Sequence, residues 1–346
     1  MKRHKTREVK VGKLAIGGDN PIVIESMTNI DPYDIVGIVS QINSLAKAGC
    51  QFVRITLPDI KAAQLVSEIK SQINIPIMGD IHFDYRIALE AINQGIESIR
   101  LNPGNIKQKD KIEEVVKKVK ENNILVRVGA NAGSLDRIKY KDNNAEALVS
   151  SVLEHVEIFE KYNYHNLIVS LKSSDVNTTI EAYEKFSQIR DYPLHIGITE
   201  AGTKFSGTIK SSAGIGILLY KGLGDTMRVS LSGNPIDEIF VGYKILQSLG
   251  LYDQMIDIIS CPTCGRCGID VESIASQVEK ACSGIKKKLK VAIMGCVVNG
   301  PGEAKEADIG VAGSNKEVIL FKKGEFVKKI RHEDIIPELL DFINTY

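Results

Sequence analysis

The chain reads as an α/β protein, a (β/α)8 barrel of the TIM type followed by a small α/β domain rich in cysteine. Three observations predict this. Between residue 20 and about residue 250, short apolar runs alternate with amphipathic stretches eight times over, and such alternation implies a parallel sheet covered by helices. Eight repeats suit a closed barrel better than a doubly wound sheet, and no Gly-rich dinucleotide turn follows the first run. Gly17-Gly18 precedes it, and Gly214-Ile215-Gly216 lacks the third glycine of that motif. Finally, Cys261, Cys264, Cys267 and Cys296 frame one short stretch of the C-terminal part, four of the chain's six cysteines.

The strand-like runs are residues 21–28, 52–58, 76–81, 98–104, 125–131, 167–174, 194–202 and 226–233. Helical patterns lie between them, among them 35–49, 60–72, 112–122 and 148–162. Asn234-Pro235 opens the eighth helix with a capping side chain, a proline at the first helical position, and Asp237 and Glu238 in the first turn. That helix runs out near Gly250. A boundary is expected within 251–257, giving a barrel over 1–253 and a second domain over 254–346. The second domain reads as strand 256–260, helix 271–288, strands 291–296 and 309–312, a hairpin of 318–321 with 325–330, and a last helix over 335–343. Lys286-Lys287-Lys288 is expected to be a solvated helix end favoured by the dipole. A docking patch for an acidic electron donor is the alternative.

Composition excludes several classes. Of 346 residues, 43% are hydrophobic and 25% charged, ordinary for a globular protein with large cores. A net charge of +1 gives no electrostatic argument for nucleic acid or an anionic membrane. No apolar run approaches the ~20 residues needed to span a bilayer. Met1-Lys2-Arg3-His4-Lys5 is basic but lacks the apolar stretch of a signal peptide. The cytoplasm is the expected compartment, where clustered cysteines favour metal over disulfides. Cys50 and Cys282 stand apart and read as small buried hydrophobes.

Active sites of such barrels lie at the carboxyl ends of the strands. Those ends carry Arg54, Asp80 and His82, Arg100 and Asn102, Arg127 and Asn131, Lys172, Glu200, and Arg228 and Ser230. Members spaced by two residues share a strand face. If that face is inward, four arginines and a lysine converge on one mouth, at a cost in repulsion that an anion would offset. Arg and Lys are the usual phosphate holders. Any one arginine alone reads as an ordinary salt-bridged residue, and His195, at a strand start, reads as structural. Five basic groups at equivalent positions argue for a phosphate site.

The cysteines open with Cys261-Pro262-Thr263-Cys264-Gly265-Arg266-Cys267 and close with Gly295-Cys296-Val297-Val298-Asn299-Gly300-Pro301-Gly302-Glu303. Structural zinc uses C-x-x-C pairs, yet the distal end offers only Cys296 and a glycine turn. Three closely spaced cysteines with a remote fourth are similar to the ferredoxin-type [4Fe–4S] pattern, so the spacing favours iron–sulfur over zinc. The turn through Asn299-Gly300-Pro301-Gly302 allows the chain to fold back and return Glu303 towards Cys296. A four-cysteine cluster is coordinatively closed and suits electron transfer. Three cysteines and a carboxylate leave a replaceable position and suit catalysis.

Ser260-Cys261-Pro262-Thr263-Cys264, the Gly295–Glu303 string, Gly79-Asp80-Ile81-His82, Arg100-Leu101-Asn102-Pro103-Gly104 and Arg127-Val128-Gly129-Ala130-Asn131 together resemble the 4-hydroxy-3-methylbut-2-enyl diphosphate synthase family. The resemblance covers essentially the whole chain, in the bacterial two-domain form. It implies reductive ring opening and dehydroxylation of 2-C-methyl-D-erythritol 2,4-cyclodiphosphate, on the methylerythritol phosphate route to isoprenoids. It implies a [4Fe–4S] cluster on Cys261, Cys264, Cys296 and Glu303, and a diphosphate held by Arg54, Arg100, Asn102, Arg127, Asn131, Lys172, Arg228 and Ser230. Asp80, His82 and Glu200 match polar positions beside the substrate. Ferredoxin or flavodoxin is the implied donor, and the implied assembly is a homodimer in which the cluster domain of one subunit closes the barrel of the other. Cys267 falls outside the family's ligand positions, and its spacing would permit an all-cysteine cluster. The glycine turn favours Glu303. Glu200 is the expected proton donor, on the premise that burial beside an anion raises its pKa, with His82 the runner-up.

Overall fold

The computed structural model describes residues 2–81, 84–101, 109–135, 138–140, 142, 144–282, 284–298, 302, 304–314 and 317–346. It forms two compact units, Met1–Leu249 and Gly250–Tyr346.

The first unit begins with an antiparallel hairpin, β1 (Val9–Val11) and β2 (Leu14–Ile16). Val9, Val11 and Ile16 pack against Val23, Phe52, Met78, Leu125 and Ile168, and so seal the amino ends of the barrel strands. The Asn166 amide fastens the hairpin from below, accepting from Lys10 N–H and donating to Lys10 C=O, each at 3.2 Å. Sequence periodicity does not anticipate this hairpin, because three-residue strands are too short to show a period.

Eight parallel strands follow: β3 (Val23–Met27), β4 (Phe52–Thr56), β5 (Ile77–Ile81), β6 (Ser98–Leu101), β7 (Leu125–Asn131), β8 (Leu167–Lys172), β9 (His195–Ile196) and β10 (Thr226–Met227). Their order is β8-β7-β6-β5-β4-β3-β10-β9. A parallel bridge from Val169 to Leu194 brings the two outer strands together, with Val169 N–H donating to Pro193 C=O at 2.9 Å. The sheet is thus a nearly closed barrel, as the alternation predicts. All eight expected runs contain a strand. The last two strands are only two residues long, and after β9 the chain turns through Glu200 at φ +52° and Gly202 at φ +116°.

Helices α1 (Ile35–Lys47), α2 (Ile60–Gln64), α3 (Val66–Lys70), α4 (Tyr85–Asn93), α5 (Lys109–Glu121), α6 (Ala145–Lys161), α7 (Val176–Ile189), α8 (Lys204–Tyr220) and α9 (Pro235–Ser248) intervene between the strands or follow them. Side chains of Asp34, Asp59, Asp84, Asn144, Asp175 and Asn234 cap six of them, each accepting a first-turn N–H. The single helix expected over 60–72 is two short ones. The chain tightens at Leu65, whose N–H reaches the Ala62 carbonyl three residues back.

The second unit is a sheet in the order β11 (Ile256–Ser260), β12 (Leu289–Met294), β13 (Ile309–Gly313), β14 (Val318–Lys322) and β15 (Glu325–Ile330). The first three strands are parallel and the last two antiparallel. Helices α10 (Val271–Ala281) and α11 (Ile335–Thr345) bury Val271, Val278, Ile335, Leu339 and Ile343 against one face of the sheet. Helix α10 stops at Ala281, ahead of the expected 288, and Gly284 at φ +86° carries the chain away. The lysine run therefore serves other partners. Lys287 Nζ donates to the last carbonyls of α11, Ile343 at 2.7 Å and Asn344 at 3.3 Å, while Lys288 pairs with Asp253 at 3.1 Å. Cys50 and Cys282 are buried, as read, and burial pushes the Cys50 thiol up to about 12. Among the described residues no helix is long and apolar enough to cross a membrane.

Candidate functional site

Parallel register sets the charged residues side by side. Asp80 on β5 is the Cα partner of Arg100 on β6, and Arg100 is the partner of Arg127 on β7. Two guanidinium-bearing positions on adjacent strands repel unless carboxylates intervene. Asp80 accepts from Arg100 Nη1 at 3.0 Å and lies 3.8 Å from Arg54 Nε on β4. Arg127 pairs tightly with Glu25 of β3. Arg228, just after β10, reaches Glu238 of α9 at 3.3 and 3.4 Å. Glu238 also accepts from Ser26 Oγ and from Leu231 N–H, so this first-turn residue turns inward with only 3% exposed.

Two layers result. Arg100 and Arg127 have side chains 7% and 2% exposed and are sealed beneath the mouth by their carboxylates. Arg54 and Arg228 remain 20% exposed, both with guanidinium N–H groups directed at the Met27 sulfur. Lys172, at the end of β8, is half-buried with Nζ 2.9 Å from His195 Nε2. Asn131, its register partner on β7, and Ser230 are also half-buried.

Among the described residues of this network the charges do not balance. Arg54, Arg100, Arg127, Arg228 and Lys172 are five cations against the three carboxylates Glu25, Asp80 and Glu238, an excess of two. The strain shows in the titration of the outer layer. Burial, then Arg228, Arg100 and Arg127, pull Arg54 down to about 9 against the support of Asp80. Burial, then Arg127, Arg228 and Arg54, hold Lys172 well below the usual lysine range. Glu25 runs the other way: burial alone would raise it, but Arg127 and His195 outweigh burial and hold it well below the usual carboxylate range. An anion in the outer layer would relieve both depressed cations.

Glu200 stands apart from this network. It is exposed, not buried as the sequence led one to expect. Its left-handed backbone costs a non-glycine residue about 1–2 kcal/mol, strain of a kind that gathers at functional loops. His82, Asn102 and Glu303 lie outside the described residues. Sequence reading missed Glu25, Glu238 and His195 as parts of the mouth. A charged residue within the apolar run Val23-Ile24-Glu25 was the available signal.

In the second unit the cysteines also sit at strand ends. Cys261 follows β11 directly and Cys296 lies two residues beyond β12, its parallel neighbour. Gly295 N–H donates to Cys261 Sγ at 3.1 Å, and Gly268 N–H to Gly295 C=O at 2.8 Å, drawing the 261–268 loop back onto the strand end. Cys261 and Cys296 are half-buried and Cys264 is exposed. Cys267 turns elsewhere: its thiol donates to Ile269 C=O at 3.1 Å and packs where a side chain on Gly295 would stand. Among the described residues no trio of His, Cys, Asp or Glu is gathered tightly enough to hold a metal ion. The donor set nevertheless fits a thiolate-ligated centre, because the soft sulfurs of Cys261 and Cys296 stand at the ends of adjacent parallel strands with Cys264 on the loop between them.

Barrel and basin together define a (β/α)8 protein with cationic side chains gathered at its strand ends, joined in one chain to a thiol-bearing α/β domain. The chain belongs to the GcpE family: the GcpE TIM-barrel domain matches residues 6–243 and the GcpE protein C-terminal domain matches 257–345. It is 52% identical to the 4-hydroxy-3-methylbut-2-en-1-yl diphosphate synthase (flavodoxin) of Clostridium perfringens over 100% of both chains. It is 53% identical to the like-named protein of Bacillus velezensis, over 97% of this chain and 91% of that one. Among solved structures, Yersinia pestis dihydropteroate synthase aligns with a TM-score of 0.51 at 9% identity, over 71% of this chain and 100% of that one. The 3-dehydroquinate dehydratase of Geobacillus kaustophilus aligns with the same TM-score at 14% identity, over 71% and 99%. These two show the fold alone.

Proposed function

We infer that the chain is an oxidoreductase that performs the reaction for which its relatives are named. It opens the ring of 2-C-methyl-D-erythritol 2,4-cyclodiphosphate and removes a hydroxyl, giving 4-hydroxy-3-methylbut-2-enyl diphosphate for isoprenoid biosynthesis. The observation that carries this reading is 52% identity over the full length of both chains, through both domains. The cationic surplus of the barrel mouth supports it independently, since the substrate is a diphosphate.

In balance, two electrons and one proton enter, one carbon–oxygen bond to the diphosphate breaks, and hydroxide leaves as water. Arg54, Lys172 and Arg228 hold the diphosphate from the open layer, with Asn102, Asn131 and Ser230 completing the cradle. Arg100 and Arg127, fixed beneath by Asp80 and Glu25, add field without moving. Glu200 is the proposed proton donor, with His82 second and Asp80 orienting the arginines. Cys261, Cys264, Cys296 and Glu303 would hold a [4Fe–4S] cluster. When bound, it supplies single electrons and a Lewis acid for the departing oxygen.

Flavodoxin or ferredoxin is the proposed donor, the former supported by the relatives' own name, and the cytoplasm is the compartment where such carriers are found. The proposed assembly is a homodimer in which each cluster domain closes the partner's barrel. An outward helix face is normally polar, yet that of α8 presents Phe205 at 78%, Ile209 at 57% and Tyr220 at 70% exposure, which supports a partner surface. Anaerobic purification with iron and sulfide analysis, followed by turnover of the cyclodiphosphate with reduced flavodoxin, tests the whole reading. Iron-loaded protein that leaves the cyclodiphosphate untouched refutes it.

A further inference from the structure

Beneath Lys172 runs a buried chain of polar groups, of which the proposed reaction uses Glu25 but neither His195 nor Thr226. His195 Nε2 lies 2.9 Å from Lys172 Nζ, and His195 Nδ1 lies 2.7 Å from Thr226 Oγ1 and 3.2 Å from Glu25 Oε1. His195 and Glu25 are 2% and 3% exposed, and Thr226 is fully buried. An ammonium only donates, so Nε2 must accept from Lys172 and the ring proton must sit on Nδ1. That proton in turn needs an acceptor, which Thr226 Oγ1 supplies, with the Glu25 carboxylate beside it favouring the proton on Nδ1 by its charge. Burial, then Arg127, keep the imidazole neutral by holding its pKa well below the usual histidine range, although Glu25 pulls the other way.

The chain has been given room. A Cβ on Gly197 would stand 2.9 Å from Lys172 Nζ and 2.5 Å from the Arg228 carbonyl oxygen. The lysine head thus occupies the space of an absent side chain. A lysine on a free four-carbon stem would lose rotamer entropy on meeting an anion, and a fixed one has already lost it.

We propose that His195, with its tautomer set by Glu25 and Thr226, is a positioning residue that holds Lys172 in the orientation in which it meets the diphosphate. The inference rests on the reading above that Lys172 touches that group. A neutral acceptor is the suitable partner here. It aims the ammonium without cancelling its charge, as a carboxylate would, so the basin keeps its excess.

The test is calorimetric binding of inorganic pyrophosphate to the full, iron-loaded chain, beside steady-state turnover of the cyclodiphosphate. His195→Asn keeps a donor near the Nδ1 position and removes the acceptor from Lys172. It is expected to weaken pyrophosphate binding roughly ten- to a hundredfold, the scale of a hydrogen bond to a charged group, and to raise KM with kcat little changed. In a Lys172→Met background the same substitution is expected to add less than about threefold, because both remove one contact. Thr226→Val, which leaves Nε2 in place, is expected to weaken binding in the same direction by a smaller factor and guards against a folding artefact. Additive losses in the double variant, a His195→Asn protein that binds pyrophosphate normally, or wild-type protein that does not bind it would overturn the inference. Normal binding by His195→Asn together with cyclodiphosphate turnover by the wild type would leave the proposed reaction standing. The expected binding pattern without any turnover would remove the reaction and keep the positioning role.

Discussion

The barrel and the C-terminal unit put their chemistry at the same address, the carboxyl ends of parallel strands, and prepare it in opposite ways. In the barrel the deep arginines are answered by Asp80 and Glu25, and the outer groups rest on Met27, Glu238 and His195. In the C-terminal unit Cys264 stands exposed on a loop, and Gly295 N–H donates to the Cys261 sulfur. The first site is organised by the protein's own ion pairs. The second offers soft donors whose order a bound metal would complete, as thiolate sites commonly gain their structure on metal binding.

If that contrast is right, removing a thiol and removing a buried carboxylate should fail differently. The largest effect is expected from Cys264→Ser: iron content and turnover should fall by more than about a hundredfold, while the cooperative unfolding of the barrel is retained. Full iron loading in that variant would break the comparison on the metal side. Next comes Glu200→Gln, expected to lower kcat by ~100-fold or more, the usual worth of a general acid, with substrate affinity spared. Equal weakening of both would reassign Glu200 to binding.

On the barrel side, Glu25→Gln strands Arg127 and is expected to cost about 3–5 kcal/mol in denaturant unfolding, the price of halving a buried pair. The pH dependence sharpens this. The folded pKa of Glu25 is lowered from 4.5, so its contribution is present above that value and is lost as pH falls below it towards the folded pKa. Wild-type stability should therefore drop on the acid side of 4.5 more steeply than that of Glu25→Gln, and parallel acid limbs would contradict the pairing. The smallest effect is expected from Cys267→Ser. Its thiol already bonds Ile269 C=O within the fold, so iron content should be unchanged and stability should fall by only about 1 kcal/mol. Loss of iron there would point to the all-cysteine arrangement instead.

Much of this protein was readable along the chain. The strand–helix period places all eight barrel strands, and counting positions at their ends picks out Arg54, Asp80, Arg100, Lys172 and Arg228 together. The same residues carry no information about which carboxylate meets which guanidinium. Glu25 and Arg127 are 102 positions apart and meet because β3 and β7 face one another across the barrel interior. Glu238 reads as an ordinary first-turn acid, and only the entry of α9 at the mouth turns it onto Arg228. His195 reads as a structural strand residue, and only closure of β9 beside β8 brings it to Lys172.

By itself, then, the sequence determined the period of the elements, the kind of charge at the strand ends and the spacing of the thiols, because each is a local property of neighbouring residues. The tertiary structure decided which arginines are sealed and which stay open, and what supports the lysine between them. Those outcomes depend on burial and on partners brought from distant strands, and electrostatic strength is set by both.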